Sequence, residues 1–224
     1  MKKIIVVLLL FISICMGQTL EDAFAKIAPK NKLQAESYAI VYQWDNEPSP
    51  SFSCDEYTNT AETLICFGRW KYNVFLDNFY ASYYHIIMQS IPNEKKSEVE
   101  KIAKEMINKR NNEVEQKDKE ITRKNREEYT YEERVEKRSA LDLVWQEEIG
   151  NIISKHYEES ITQLTRFVLH HQANLFAKIF YKHTEEYKII LQNKEADYYL
   201  ILGSLYFDNL IDETGKLIVK IDSQ

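Results

Sequence analysis

Histidine is the residue type with which a chemical site would most readily begin, and the chain carries five: His85, His156, His170, His171 and His183. His156 with Glu159, and His183 with Glu186, each set an imidazole and a carboxylate one helical turn apart. Facing pairs of that kind can hold a metal ion in a bundle core. Di-metal bundles, however, use Glu-x-x-His in the opposite order and add two further carboxylates. Glu158, Glu159, Glu185 and Glu186 also lie in runs that read as solvated faces. No metal site is assigned, and His170 and His171 read as a pair at a helix end or on the surface.

Nucleophilic chemistry has no better footing. There is no Gly-x-Ser-x-Gly, and no glycine-rich phosphate loop. Thr214-Gly215-Lys216 lacks the other glycine of such a loop and does not precede a helix. Asp208 to Gly215 combines acids with a glycine but lacks the ligand spacing of an EF-hand. Catalytic, cofactor-binding and metal-binding residues are therefore all left empty, and the expectation is a protein that is not an enzyme and uses no cofactor.

The cysteines say more about compartment. Lys2 and Lys3, the apolar run Ile4 to Ile14 and the short Cys15-Met16-Gly17 have the layout of a signal peptide over residues 1–17. An apolar run of this length spans roughly 17 Å as a helix, against roughly 30 Å for a hydrocarbon core, so a stable membrane span is not expected. A retained anchor is the alternative. Lipidation at Cys15 is disfavoured because Ile14, rather than a small residue, precedes it. Without residues 1–17 the formal charge moves from −6 to −8, since two lysines and no acids are lost. That balance argues against nucleic acid and against anionic membrane surfaces as partners. Cys54 and Cys66 are the two cysteines that remain, and in an exported chain they are expected to pair as a disulfide. The localisation expected is secreted or periplasmic.

The elements that would carry such a chain are helices. Residues 18–224 read as a single helical domain, with 44% hydrophobic residues for a core and 29% charged for a surface. An amphipathic stretch, Leu20, Ala23, Phe24 and Ile27, is followed by Pro29 and a second helical run to Trp44. Asp45 to Tyr57 is a turn-rich linker, with Pro48, Ser49, Pro50, Ser51 and Ser53 in close succession. Asn59 with Glu62 forms an N-terminal capping pattern for one helix over about Thr60 to Gln89. Its aromatic residues fall on several faces, which places it centrally in a bundle. A strand over Ile65 to Leu76 is the competing reading, because Trp70, Tyr72, Val74 and Leu76 alternate.

Asn93 to Glu148 contains neither proline nor glycine. Ile107, Val114 and Ile121 recur every seventh residue, the period of a narrow helical seam. Ser97 with Glu100 marks a helix start near Asn93 or Ser97, and Thr130 with Glu133 marks a second start after a tip at Asn125 to Tyr129. The stretch over about 93–148 thus reads as a long, projecting, coiled-coil-like antiparallel helical hairpin. Folded at Glu128, it sets Ile121 against Val135, Val114 beside Leu141 and Ile107 against Ile149. Glu100→Lys104, Glu105→Lys109, Glu113→Lys117, Glu115→Lys119 and Glu120→Lys124 repeat the favourable i,i+4 order along the first arm. A single long helix that pairs with another chain remains open.

Helical spacing then continues through Gly150 to Ile190, with a break expected near His170 to Asn174, and an aromatic helix follows over Glu195 to Asn209. Leu217, Val219 and Ile221 alternate after Gly215, which predicts a small terminal β-hairpin. The fold class is mainly α. Two functions stand: a protein-interaction module that binds a partner, or self-associates, through the charged hairpin; and a carrier of a small apolar ligand beneath Trp70, Phe75, Phe79, Phe176 and Phe180.

Overall fold

The computed structural model describes residues 49–69, 71–192 and 198–219. The expected signal peptide, the amphipathic stretch before Trp44, Trp70 and the last residues of the terminal alternation lie outside them. The described residues form eight helices: α1 (Thr60–Phe67), α2 (Lys71–Ser90), α3 (Asn93–Glu128), α4 (Tyr131–Glu136), α5 (Arg138–His171), α6 (Ala173–Ile179), α7 (Thr184–Gln192) and α8 (Tyr198–Phe207). Mainly α is therefore the class. Among these residues no helix is long and apolar enough to cross a membrane.

Ile65 to Leu76 is not a strand, and the helix expected to start at Thr60 is two helices. Asn59 caps α1 as its spacing predicts, accepting from the Glu62 N–H at 3.0 Å. Glu62 turns its own carboxylate to the Thr58 N–H at 2.8 Å. At Gly68 the backbone becomes extended (φ −70, ψ 156) while its N–H still closes on Leu64. The chain restarts as α2, whose eight successive residues from Asn73 to Tyr80 are all buried. A helix buried all round lies at the centre of its bundle, where the aromatic inventory placed it.

α5 passes through Gly150 without interruption, and the glycine is itself buried. The break near His170 falls at Gln172, and a second one after Phe180 separates α7. α8 ends on Asn209 in the left-handed region (φ 55), with the Leu210 N–H returning to the Leu205 carbonyl at 2.8 Å. Of the terminal hairpin, the described residues contain one antiparallel bridge, Ile211 with Leu217. Its turn uses Gly215 at φ 93, and a Cβ there would lie 2.3 Å from the Phe75 carbonyl oxygen. The loop is seated on α2 through Asn78, whose amide donates to Thr214 O and to Ser49 O, both at 3.0 Å.

Cys54 and Cys66 have their sulfur atoms at bonding distance, 2.10 Å, which ties the linker to the last turn of α1.

Candidate functional site

α3 and α5 run antiparallel, and several polar pairs join them beside the buried Val114, Ile121, Ile149 and Ile153. The Trp145 indole N–H donates to Asp118 Oδ1 at 2.7 Å. Next to it Lys117 Nζ meets Glu148 Oε2 at 2.8 Å. Two turns further along, His156 Nε2 donates to Glu113 Oε2 at 2.8 Å, with Lys155 Nζ 3.6 Å from the other oxygen. Deepest is Arg110, whose Nη1 donates to the Tyr157 hydroxyl at 2.8 Å.

These pairs replace the register that the heptad spacing predicts. Val114 and Ile121 are buried as expected, but Ile107 is 42% exposed and Val135 59% exposed, so neither belongs to the seam. Its remaining positions are Val99, Met106 and Arg110. The chain reverses over Tyr129 and Thr130, where the predicted capping box forms in full: Glu133 N–H to Thr130 Oγ1 at 3.3 Å, Thr130 N–H to Glu133 Oε2 at 2.8 Å. The short α4 and the turn at Lys137 then consume further residues before α5 comes alongside α3. Ser97 is interior to α3, which starts at Asn93 behind Pro92 with no side-chain cap.

Three of the predicted intrahelical pairs form: Lys104–Glu100, Lys109–Glu105 and Lys119–Glu115. Glu113 and Lys117 are drawn across to α5 instead. Hydrogen bonding from His156, aided by Lys155, holds the Glu113 carboxyl below its ordinary range, against partial burial. Hydrogen bonding to Glu148 raises Lys117.

Beneath the clasp lies a polar group that the sequence does not announce. The Tyr157 hydroxyl donates to Asp77 Oδ1 of α2 at 2.7 Å while accepting from Arg110, and Asp77 Oδ2 accepts the Ser51 N–H at 2.6 Å. All three side chains are buried. One tyrosine oxygen thus links a buried cation on α3 to a buried anion on α2 and fixes three helices at a single point. Burial, then the adjacent Asp77 charge, drives the Tyr157 phenol well above its ordinary range, so it stays a proton donor. Tyr80 to Ser160 at 2.8 Å and Tyr83 to Thr165 at 3.1 Å extend the α2–α5 contact.

The residues singled out for chemistry disperse. His156 faces Glu113 and not the exposed Glu159. His183 Nε2 lies 3.4 Å from Asp208 Oδ2, with Lys182 on the other oxygen at 2.9 Å. His170 and His171 are exposed at the end of α5, and His85 bonds Gln89 within α2. Among the described residues no cluster of three or more His, Cys, Asp or Glu side chains could hold a metal ion. Of the rings named for an apolar cavity, Phe75, Phe79, Phe176 and Phe180 are buried. Phe176 and Phe180 stack at 4.7 Å, Phe180 and Tyr187 at 4.6 Å, and Phe79 and Tyr83 at 5.4 Å.

Among the charged side chains on the outside of the paired helices a few large apolar ones are also exposed. Tyr131 is 70%, Val135 59%, Leu143 45% and Val144 49% exposed, all within α4 and the first turns of α5. The stretch of α3 that runs on from the clasp has the opposite character, carrying Asp118, Lys119, Thr122, Arg123, Arg126 and Glu127 on one side. Comparison of the chain with protein-family models, curated proteins and solved structures finds no match.

Proposed function

We propose that this is an exported, non-enzymatic protein-interaction module whose working part is the charged hairpin of α3, α4 and α5. The observation that carries the reading is the run of exposed Tyr131, Val135, Leu143 and Val144 on a unit otherwise clothed in ion pairs. Exposed large apolar side chains on a soluble surface mark contacts with other proteins once they gather in one region. The polar clasp joins α3 to α5 just beyond those side chains, from Trp145 onward. The cysteine pair supports export, because such bonds persist in oxidising compartments. Carriage of an apolar ligand is the weaker reading, since the rings that would line its cavity are packed in contact with one another.

The test is photo-crosslinking of the full chain in its native milieu, with the reactive side chain placed at Leu143 or Val135 and, as a control, at Glu94, which is also exposed. Discrete adducts from the first two positions and none from the third are expected. Equal labelling from all three positions would refute the reading.

A further inference from the structure

The outer surface of α5 carries its own complement. Lys137, Ala140, Val144 and Glu147 recur at intervals of three and four residues, so they form one line along the helix, with Leu143 beside it. All five are exposed. The opposite face, with Gln146, Ile149, Gly150 and Ile153, is the one buried in the bundle. Charge along the exposed line is polarised: Lys137, whose ammonium also sits 4.4 Å from the Tyr129 ring centroid, stands at its N-terminal end, Glu147 at its C-terminal end, and the apolar residues lie between them. Among the described residues neither Arg138 nor Glu147 forms an ion pair within the chain. The first turn of α5 holds no acid and its N-cap makes no side-chain hydrogen bond, so two cations sit at the positive end of the helix dipole.

Turning a second such helix end for end lays each copy's Glu147 against the other's Lys137. The same operation lays Ala140 of one copy against Val144 of the other. A surface that satisfies itself under a two-fold rotation is what an isologous dimer requires. A parallel pairing would instead set like charge on like charge at both ends. We propose that the partner of this surface is a second copy of the chain, bound antiparallel through Lys137, Ala140, Leu143, Val144 and Glu147. The proposal rests on the interaction reading above and names its partner. Ten residues of helix cover about 15 Å, so the contact belongs to the small, reversible class of interface.

Sedimentation equilibrium of the full chain, disulfide intact, tests it. The expected mass rises from one protomer toward two between about 10 µM and about 1 mM, the range suited to a contact of this size. Glu147→Lys weakens association at least about tenfold, as like charges then face each other. Combining it with Lys137→Glu restores association to within about threefold, because reversing both ends recreates the match. Val144→Glu removes the dimer, and circular dichroism verifies that each variant keeps its helices. A protomer mass throughout overturns the proposal, as does a dimer indifferent to Glu147→Lys. If the protomer persists while Leu143 still crosslinks to another protein, the second copy is refuted and the interaction reading stands. Loss of both refutes both.

Discussion

Removing one oxygen atom should test the buried junction of α2, α3 and α5. Tyr157→Phe leaves the ring, its volume and its edge-on contact with Tyr80 in place, and deletes the hydroxyl that serves Arg110 at 2.8 Å and Asp77 at 2.7 Å. Each bond has a charged partner, a class worth about 1.5–3 kcal/mol. Asp77 keeps the Ser51 N–H and Arg110 keeps Asn111 Oδ1, so neither charge is stripped of all its partners. The expected loss is about 3–5 kcal/mol, the range for disrupting a buried charged group. In a chain of this length that lowers Tm by about 6–20 °C. Tyr83→Phe is the matched control: that ring is also fully buried, but its hydroxyl meets only the neutral Thr165 at 3.1 Å, for which about 0.5–1.5 kcal/mol is expected. Urea unfolding followed by circular dichroism gives both values. Arg110→Met with Tyr157→Phe should cost less than the sum of the two single changes, since they share the same bond. A Tyr157→Phe loss no larger than that of Tyr83→Phe would refute the reasoning, because a bridge between two buried charges would then be worth no more than a neutral hydrogen bond.

Three further outcomes follow from the geometry. The Glu113 carboxyl is held below its ordinary 4.5 by His156 first and Lys155 second, so its contribution is complete above that pH and lost as pH falls through the depressed value. Glu113→Gln should therefore flatten the fall in stability below about pH 4.5 in acid titrations, and an unchanged acid limb would contradict this. Replacing Cys54 and Cys66 together by serine removes a cross-link between residues twelve apart, worth about 3 kcal/mol in the chain-entropy model. Denaturant unfolding of wild type under reductant should match the double variant, and a loss under about 1 kcal/mol would count against the chain-entropy account. Gly215→Ala must place a Cβ at φ 93 and 2.3 Å from the Phe75 carbonyl, so a loss of more than about 1 kcal/mol is expected in the same assay. No loss would mean that the turn re-forms away from α2.

The helical class and the helix start at Thr130 were both legible, for reasons that are local. A capping box is a contact between residues three apart, and Thr130 with Glu133 forms as its spacing requires. The unbroken helix through Gly150 was legible too, because apolar spacing on either side outweighs the cost of one glycine. The break at Gly68 was obscured by the aromatic density around it. Register was not local. An antiparallel pair with a deep apolar seam is aligned by that seam, and Ile107, Val114 and Ile121 were read as one. In the folded chain Ile107 faces water, and alignment follows Asp118 with Trp145, Lys117 with Glu148, Glu113 with His156 and Arg110 with Tyr157. Read along the chain, Glu113 and Lys117 are an ordinary i,i+4 pair, and Arg110 is one cation in a charged run. Nothing in their spacing separates them from Glu115 and Lys119, which do form the intrahelical pair. The difference is which way each points once α5 arrives, and α5 arrives where it does because α4 and Lys137 lengthen the turn. A thin seam leaves alignment to polar side chains whose partners lie up to 47 residues away, as Tyr157 does from Arg110. Val135, set against Ile121 in the register that the heptad spacing predicts, is the consequence of that same shift: the register that satisfies the clasp leaves it facing outward, as Leu143 and Val144 also do.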